Sequence, residues 1–249
     1  MCRNLMPYVN ELRALIEDSS NPRVYFQSFE ETIRTEPSKR QVWLAREREF
    51  SQLDKDSWKF LKAEALPYLT SRDQLRGWSQ LISILNQARA HNFLVDEGCQ
   101  NVRFIPRATT NGMETPDLEA EAGRTKVVCE VKSIQISQLE AARRASGAVG
   151  SSTPQLDAEF FNKLASDLLK ARSQMYSFHG DPDARRIAFV VIDFDDSLGE
   201  YKQSYFEQID EFLACNPVPD VEVVFYNQRT AFHGPVTLQH AKVVNEFAG

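Results

Sequence analysis

The sequence predicts an α/β protein in which a mixed sheet is flanked by helices and preceded by a helical region. Two observations predict this class. Apolar residues recur at three- and four-residue steps as far as about residue 92, which is the period of an amphipathic helix. After Gly98 the period changes to that of strands, and the segments that follow give the order α-β-β-β-α-β-α-β.

Helices are predicted for most of the first part of the chain. A stripe of leucine, valine and isoleucine opens it, and Ser71 starts a later helix with a capping pattern. The three tryptophans stand at helical spacing among leucines, which favours packing between helices over a surface for stacking bases. The predicted helical segments are 5–16, 41–50, 57–66 and 71 to about 92.

The rest of the chain alternates strands and helices. The run from Ile187 is continuously apolar up to Asp193, as expected of a strand buried on both faces. Small and polar residues over 137–155 predict a loop. The predicted strands are 102–105, 115–121, 124–136, 187–193 and 221–226, and the predicted helices are 156–178 and 201–214. We therefore divide the chain into a helical region, 1–70, and an α/β domain, 71–249.

Residues 115–136 are predicted to form a β-hairpin with its turn at Ala122-Gly123. With that turn, oppositely charged residues are cross-strand neighbours on one face of the hairpin, and mostly apolar residues are neighbours on the other. Each charged pair contributes about 0.2–1 kcal/mol. In this register Asp117 lies diagonal to Glu130, although a glycine bulge at Gly123 would move the pairing near the turn by one residue. The predicted pairs are Glu121 with Arg124, Glu119 with Lys126, Leu118 with Val127 and Ala120 with Thr125.

Asp117, Glu130 and Lys132 form the candidate site. Strand side chains alternate, so these three are expected on one face of the hairpin. Two neighbouring carboxylates repel each other, and one tends to stay protonated unless a cation lies between them. Mg²⁺, or Mn²⁺ in its place, removes that conflict because it prefers oxygen ligands and keeps waters and phosphates in its shell. Taken singly, these residues fit a turn or a solvated strand face, and their combination favours a site.

The string from Asn101 through Pro116-Asp117 to Glu130-Val131-Lys132 resembles the PD-(D/E)xK nuclease superfamily. Members share the restriction-endonuclease-like fold, with an αβββαβ core, and the resemblance covers roughly residues 75–226. It implies a hydrolase, an endonuclease that cleaves nucleic-acid phosphodiester bonds with Mg²⁺, with DNA favoured as substrate. It also implies that Asp117 and Glu130 bind the metal, that the Val131 carbonyl adds a ligand, and that Lys132 orients or activates the attacking water.

Two features depart from the pattern of that superfamily. Many members carry a glutamate on the helix before the glycine, where this chain has Asn86, Gln87 and Arg89. Some nucleic-acid-processing members also use a glutamine followed four residues later by a tyrosine, whereas Gln174 is followed by Phe178. A one-metal site or a weakened site is therefore an open alternative.

Lys163, Lys170 and Gln174 lie near one stripe of the predicted helix 156–178 and are candidates for nucleic-acid contacts. Asp167 interrupts the stripe, so a solvated face with ion pairs is an equal alternative. Four arginines are further candidates for contacts with the nucleic-acid backbone, with plain surface as the alternative. An acidic cluster follows the buried strand and is interpreted either as turn residues or as a second metal position. These residues are Arg103, Arg107, Arg143 and Arg144, and Asp193, Asp195 and Asp196.

Composition limits the partners of the protein. Hydrophobic residues make up 42% of the chain and charged residues 26%, as in soluble globular proteins. The four cysteines form no CxxC pair, so a reducing cytoplasmic setting is expected, and no stretch is long and apolar enough for a membrane helix. A net charge of −6 argues against gripping nucleic acid with the whole surface, but it does not exclude a nuclease.

A rival hypothesis is a catalytically inactive module that keeps the nuclease scaffold and binds DNA or a protein partner. The missing helix glutamate and the acidic net charge favour it. A nucleotide-binding domain is disfavoured because no glycine-rich phosphate loop occurs. Residues 1–70 are open to three roles, which are recognising the substrate, joining two chains in a homodimer and bracing the sheet.

Overall fold

The computed structural model describes residues 5–16, 24–73, 77–107, 114–134, 146, 154–192, 201–227 and 241–244. Its contacts divide the chain into two compact units, Met1–Glu97 and Gly98–Gly249. The helix before Gly98 thus groups with the first unit, whereas the sequence-based boundary after residue 70 assigned it to the second. Among the helices described, none has the length and apolarity needed to cross a membrane.

The first unit is helical over its described residues. A 3₁₀ turn, Leu66–Tyr68, follows the fourth helix. The second helix was not predicted, because its seven residues bury only Phe29 and Ile33 and are too few to show a period. The helices are α1 Pro7–Ala14, α2 Phe29–Thr35, α3 Pro37–Ser51, α4 Lys55–Ala65 and α5 Ser79–Asp96.

A buried ionic network joins α3 to α5 in the first unit. Glu49 lies 2.9 Å from the Arg46 guanidinium and 2.7 Å from that of Arg89. Arg46 also donates a 2.6 Å hydrogen bond to the side-chain oxygen of Asn86. Removing ions from water is costly unless each is paired, so this network makes the packing of the two helices specific at the expense of desolvation.

The second unit contains a six-stranded mixed sheet among its described residues, with the strands in chain order across the sheet. The first three strands are antiparallel, and each later strand runs parallel to its predecessor. This confirms the predicted α/β class with a mixed sheet, and it adds a short last strand that was not predicted. The elements are β1 Gln100–Phe104, β2 Leu118–Ala122, β3 Thr125–Ile134, α6 Ala158–Phe178, β4 Arg185–Ile192, α7 Lys202–Cys215, β5 Glu222–Asn227 and β6 Ala241–Val244.

The predicted hairpin register was wrong by two residues. The structure pairs Ala122 with Thr125, so that Gly123 becomes the first residue of the turn. Gly123 has φ +63°, a conformation that glycine adopts without the steric cost a Cβ brings, whereas the predicted turn would have placed Ala122 there. The other pairs are Glu121 with Lys126, Glu119 with Val128, Ala120 with Val127 and Leu118 with Cys129.

A two-residue shift leaves every side chain on its predicted face, because the strand period is two. Opposite charges still meet, with different partners. Lys126 forms its ion pair with Glu121. Glu119, the predicted partner of Lys126, pairs instead with Arg103 of β1, at 2.8 Å.

The core of the second unit lies between the sheet and the helices α6 and α7. On β3, Val128 and Ile134 belong to this core. Glu130 and Lys132 lie between them at even spacing, so they share the face that α6 covers. The core contributions of the helices are Leu164, Leu168, Ala171 and Met175 from α6 and Tyr205, Phe206, Ile209 and Leu213 from α7.

Candidate functional site

Glu130 and Lys132 form a buried ion pair on β3. The Lys132 ammonium lies 2.7 Å from Glu130 Oε1, and the two side chains are only 12% and 6% exposed. The same ammonium donates a 2.8 Å hydrogen bond to Oε1 of Gln174 on α6. β3 thus carries two charged groups into the interface between the sheet and α6.

Asp117 reaches this pair from the residue just before β2. Its Oδ2 accepts a 2.8 Å hydrogen bond from the Val131 N–H, and its own carbonyl accepts one of 2.9 Å from Ile105. One further step in the register beyond Leu118 and Cys129 sets Asp117 opposite Glu130, rather than diagonal to it as predicted. Directly opposed residues have Cβ atoms about 4.5–5.5 Å apart, so the corrected register brings the two acids closer together.

The two carboxyl groups perturb each other. Burial is the main cause that raises the pKa of Glu130, to about 8, and the Asp117 charge adds to it while Lys132 opposes it. Although part of the Asp117 residue is exposed, burial of its carboxylate also raises the pKa of Asp117. The Val131 hydrogen bond and the Lys132 charge act in the other direction. The pair therefore needs either a proton or a cation to be stable in this position.

Glu130 Oε2 is the atom that most directly indicates a ligand. It is buried, and no hydrogen-bond donor reaches it from the part of the chain that the structure describes. A buried polar atom without a partner costs free energy of about 1–3 kcal/mol or more when charged. Because such atoms are rare in folded proteins, this oxygen beside the Asp117 carboxyl group is a reason to expect either a proton shared between the two acids or a bound cation.

The donor set fits Mg²⁺ or Mn²⁺. Over the described ranges, no three or more His, Cys, Asp or Glu residues gather into a metal-binding group. Mg²⁺ does not require such a group, because one or two carboxylates with waters and substrate phosphates satisfy it. The N–H and C=O of one strand residue point to the same side. Since the Val131 N–H faces Asp117, the Val131 carbonyl is directed to that edge as well.

The predicted nucleic-acid contacts on α6 are engaged within the protein. Lys163 pairs with Asp167 four residues later, and Lys170 lies 2.9 Å from Glu114. Gln174 accepts a hydrogen bond from Lys132. These ion pairs are partly exposed, so each contributes little and an incoming phosphate could replace the acid. The role of these residues in nucleic-acid binding stays a prediction.

The other residues singled out from the sequence either have partners within the protein or lie outside the described residues. Arg103 is paired with Glu119, and the charge of Arg107 lies close enough to Asp117 to lower its pKa slightly against the larger effect of burial. Asn86 and Arg89 belong to the buried network of the first unit. Arg143, Arg144 and the cluster Asp193, Asp195 and Asp196 lie outside the described residues, as does nearly all of the predicted loop 137–155.

Sequence reasoning identified Gln174 but assigned it a different partner. It was predicted to contact nucleic acid, while the structure joins it to Lys132, 42 residues earlier. The available signal was its position on the same helical stripe as Lys163 and Lys170. That stripe shows which face Gln174 occupies, but it does not show which strand residue lies beneath it.

No family model, no curated protein and no solved structure matches the chain. What this protein does has therefore to be inferred from its residues and their geometry.

Proposed function

We propose that this protein is a Mg²⁺-dependent nuclease of the restriction-endonuclease-like type, which hydrolyses phosphodiester bonds of nucleic acid, DNA in the first place. One observation carries the proposal. Asp117 and Glu130 face each other where β2 and β3 pair, and the Lys132 ammonium lies beside them. A buried oxygen of Glu130 has no donor among the described residues. This is an arrangement suited to a divalent cation and a phosphate.

The topology supports the same proposal. An antiparallel run of three strands is followed by a helix and a parallel strand, and α5 precedes the first strand in the chain. That order agrees with the αβββαβ core expected from the resemblance. Asp117 directly precedes the second strand of the run and Glu130 lies on the third, so both acids belong to the predicted hairpin.

Each residue of the site has a role in this chemistry. When bound, Mg²⁺ would polarise the scissile phosphate and lower the pKa of a water molecule. Asp117 and Glu130 would hold the cation in their ionised forms, with the Val131 carbonyl beside them. Lys132 would donate a hydrogen bond to the water or to the phosphate and stabilise the negative charge that develops in the transition state.

Single-turnover cleavage tests the proposal. Duplex and single-stranded DNA, and RNA, are incubated with excess protein and Mg²⁺, and the cleavage rate is compared with those of Asp117→Asn and Lys132→Met. Each substitution should lower the rate by about 10²–10³-fold or more, because Lys132→Met removes a preorganised charge-stabilising donor and Asp117→Asn removes an ionised metal ligand. Lys126→Met is the matched control, because this lysine lies on the same strand in an exposed ion pair with Glu121.

The control should cleave at the wild-type rate. Cleavage that survives both site substitutions would belong to a contaminant, and the proposal would then fail. The same substrates rank DNA against RNA without further variants.

The pairing of the α6 lysines favours a second candidate, a non-catalytic module that binds DNA or a protein. Lys163 and Lys170 are both paired with acids, and the net charge of the chain is −6. Calorimetric titration with Mn²⁺ discriminates between the two candidates. A nuclease should give heat that disappears in Asp117→Asn and Glu130→Gln, whereas the module should give none that depends on these acids.

A further inference from the structure

We propose that Gln174 is a positioning residue, which fixes the direction in which Lys132 donates its remaining hydrogen bond. This inference rests on the proposed function, and it assigns Gln174 a role other than contact with nucleic acid. It starts from the 2.8 Å hydrogen bond between the Lys132 ammonium and Gln174 Oε1.

Chemistry determines which end of the Gln174 amide faces Lys132. An ammonium has only donors, so the amide oxygen, not the amide nitrogen, must point towards it. The oxygen that would otherwise be free to accept from a ligand is therefore engaged by the lysine. This is a reason to assign Gln174 to the lysine and not to the substrate.

The helix holds Gln174 firmly in place. Its neighbours Ala171 and Met175 are fully buried in the core between α6 and the sheet, which also includes Val128 and Ile134 of β3. The backbone of Gln174 is thus fixed relative to the strand that carries Lys132. A hydrogen bond to an acceptor on a fixed helix can orient a flexible side chain.

Two acceptors determine the orientation of an ammonium group. A lysine has a flexible four-carbon stem, and a single acceptor leaves its other two donors free to rotate. With Glu130 Oε1 at 2.7 Å and Gln174 Oε1 at 2.8 Å, two of the three N–H bonds are assigned. Because the ammonium is tetrahedral, these two bonds leave a single direction for the third N–H bond.

The test compares Gln174→Leu with Gln174→Glu. Leucine removes the acceptor and should lower kcat by about 10- to 100-fold, the scale associated with small misplacement of a catalytic group, with KM and the Kd for nucleic acid unchanged. Glutamate keeps an oxygen acceptor at the same position and should restore most of the rate. Gln203→Leu, on an exposed position of α7, is the matched control and should behave as the wild type.

A second measurement follows the lysine without any turnover. An amine-acylating reagent is applied to the protein without substrate, and modification of Lys132 is measured by mass spectrometry. Loss of one acceptor should increase the modification rate of Lys132 in Gln174→Leu, while Lys126 serves as an internal reference.

These outcomes separate the inference from the proposed function. If the wild-type protein cleaves none of the substrates, the proposed nuclease function is wrong. The acylation rates would still decide whether Gln174 holds Lys132. Equal acylation of Lys132 in the wild type and Gln174→Leu would overturn the inference. So would a Gln174→Leu variant that cleaves normally, or one that loses nucleic-acid affinity while its kcat is unchanged.

Discussion

Replacing Glu130 by glutamine should stabilise the metal-free protein at neutral and alkaline pH. Glu130 is 5% exposed, faces Asp117 and has an oxygen that no donor reaches within the described chain. Glutamine keeps an oxygen for Lys132 and brings an NH₂ group that can donate to the Asp117 carboxylate. The substitution therefore supplies a permanent donor, and it removes the cost of taking up a proton below about pH 8 and of burying a charge above it.

The magnitude follows from the pKa of Glu130. Burial raises this pKa from 4.5 to about 8, so between these values the folded protein binds more protons than the unfolded chain. Stability from the protonated group is fully present below about pH 4.5 and is lost as the pH rises through about 8. At about 1.4 kcal/mol for each pH unit, Glu130→Gln should gain on the order of 2–5 kcal/mol at pH 8 relative to its effect at pH 4.5.

Urea unfolding at several pH values, with EDTA and far-UV circular dichroism, measures the gain. The informative quantity is the difference in unfolding free energy between Glu130→Gln and the wild type. Glu121→Gln is the control, because Glu121 lies on the same hairpin and hydrogen bonds from Lys126 and Asn101 lower its pKa. This control should show no gain at pH 8.

Mg²⁺ gives a second test of the same reasoning. A cation that binds the folded wild type at 100 times its Kd would add about 2.7 kcal/mol, and Glu130→Gln should lose most of that increment. A difference between variant and wild type that does not change from pH 4.5 to 8 would refute the buried-charge reasoning. An increment from Mg²⁺ that is equal in both proteins would refute the role of Glu130 as a ligand.

Two further substitutions test the fold. Glu49→Gln removes the buried carboxylate that pairs with both Arg46 and Arg89 and should cost about 3–5 kcal/mol, measured by urea unfolding and tryptophan fluorescence, since all three tryptophans lie in the first unit; an unchanged midpoint would contradict this. Gly123→Ala forces a residue with a Cβ to φ +63° in open space and should cost about 1–2 kcal/mol from the backbone alone, which thermal unfolding of the variant against wild type will show or disprove.

Local rules explain why part of the site could be predicted. Glu130 and Lys132 are two residues apart on a strand, so alternation alone places them on one face. The face that Asp117 occupies follows from the hairpin, because every register that keeps the apolar face buried leaves Asp117 on the same face as Glu130. The error of two residues in the register came from the turn, where φ at Gly123 decided between two pairings that keep the same side chains on each face.

Long-range contacts explain why the rest could not be predicted. The hydrogen bond between Gln174 and Lys132, and the pairing of Lys170 with Glu114, depend on how α6 lies across the sheet. A helical stripe gives the face of a helix but not its position along a strand. The short strand β6 shows the same limit, because its four residues gain their stability from pairing with β5 and not from a pattern of their own.

The sequence by itself determined the α/β class, the order of most elements and the faces that Asp117, Glu130 and Lys132 occupy, because hydrophobic period and strand alternation are local properties. Only the tertiary structure decided that the two acids lie opposite each other, that no donor from the described ranges reaches Glu130 Oε2, and that Gln174 binds Lys132. Those features arise where separate elements meet, and the distance between such elements is set by packing across the whole core.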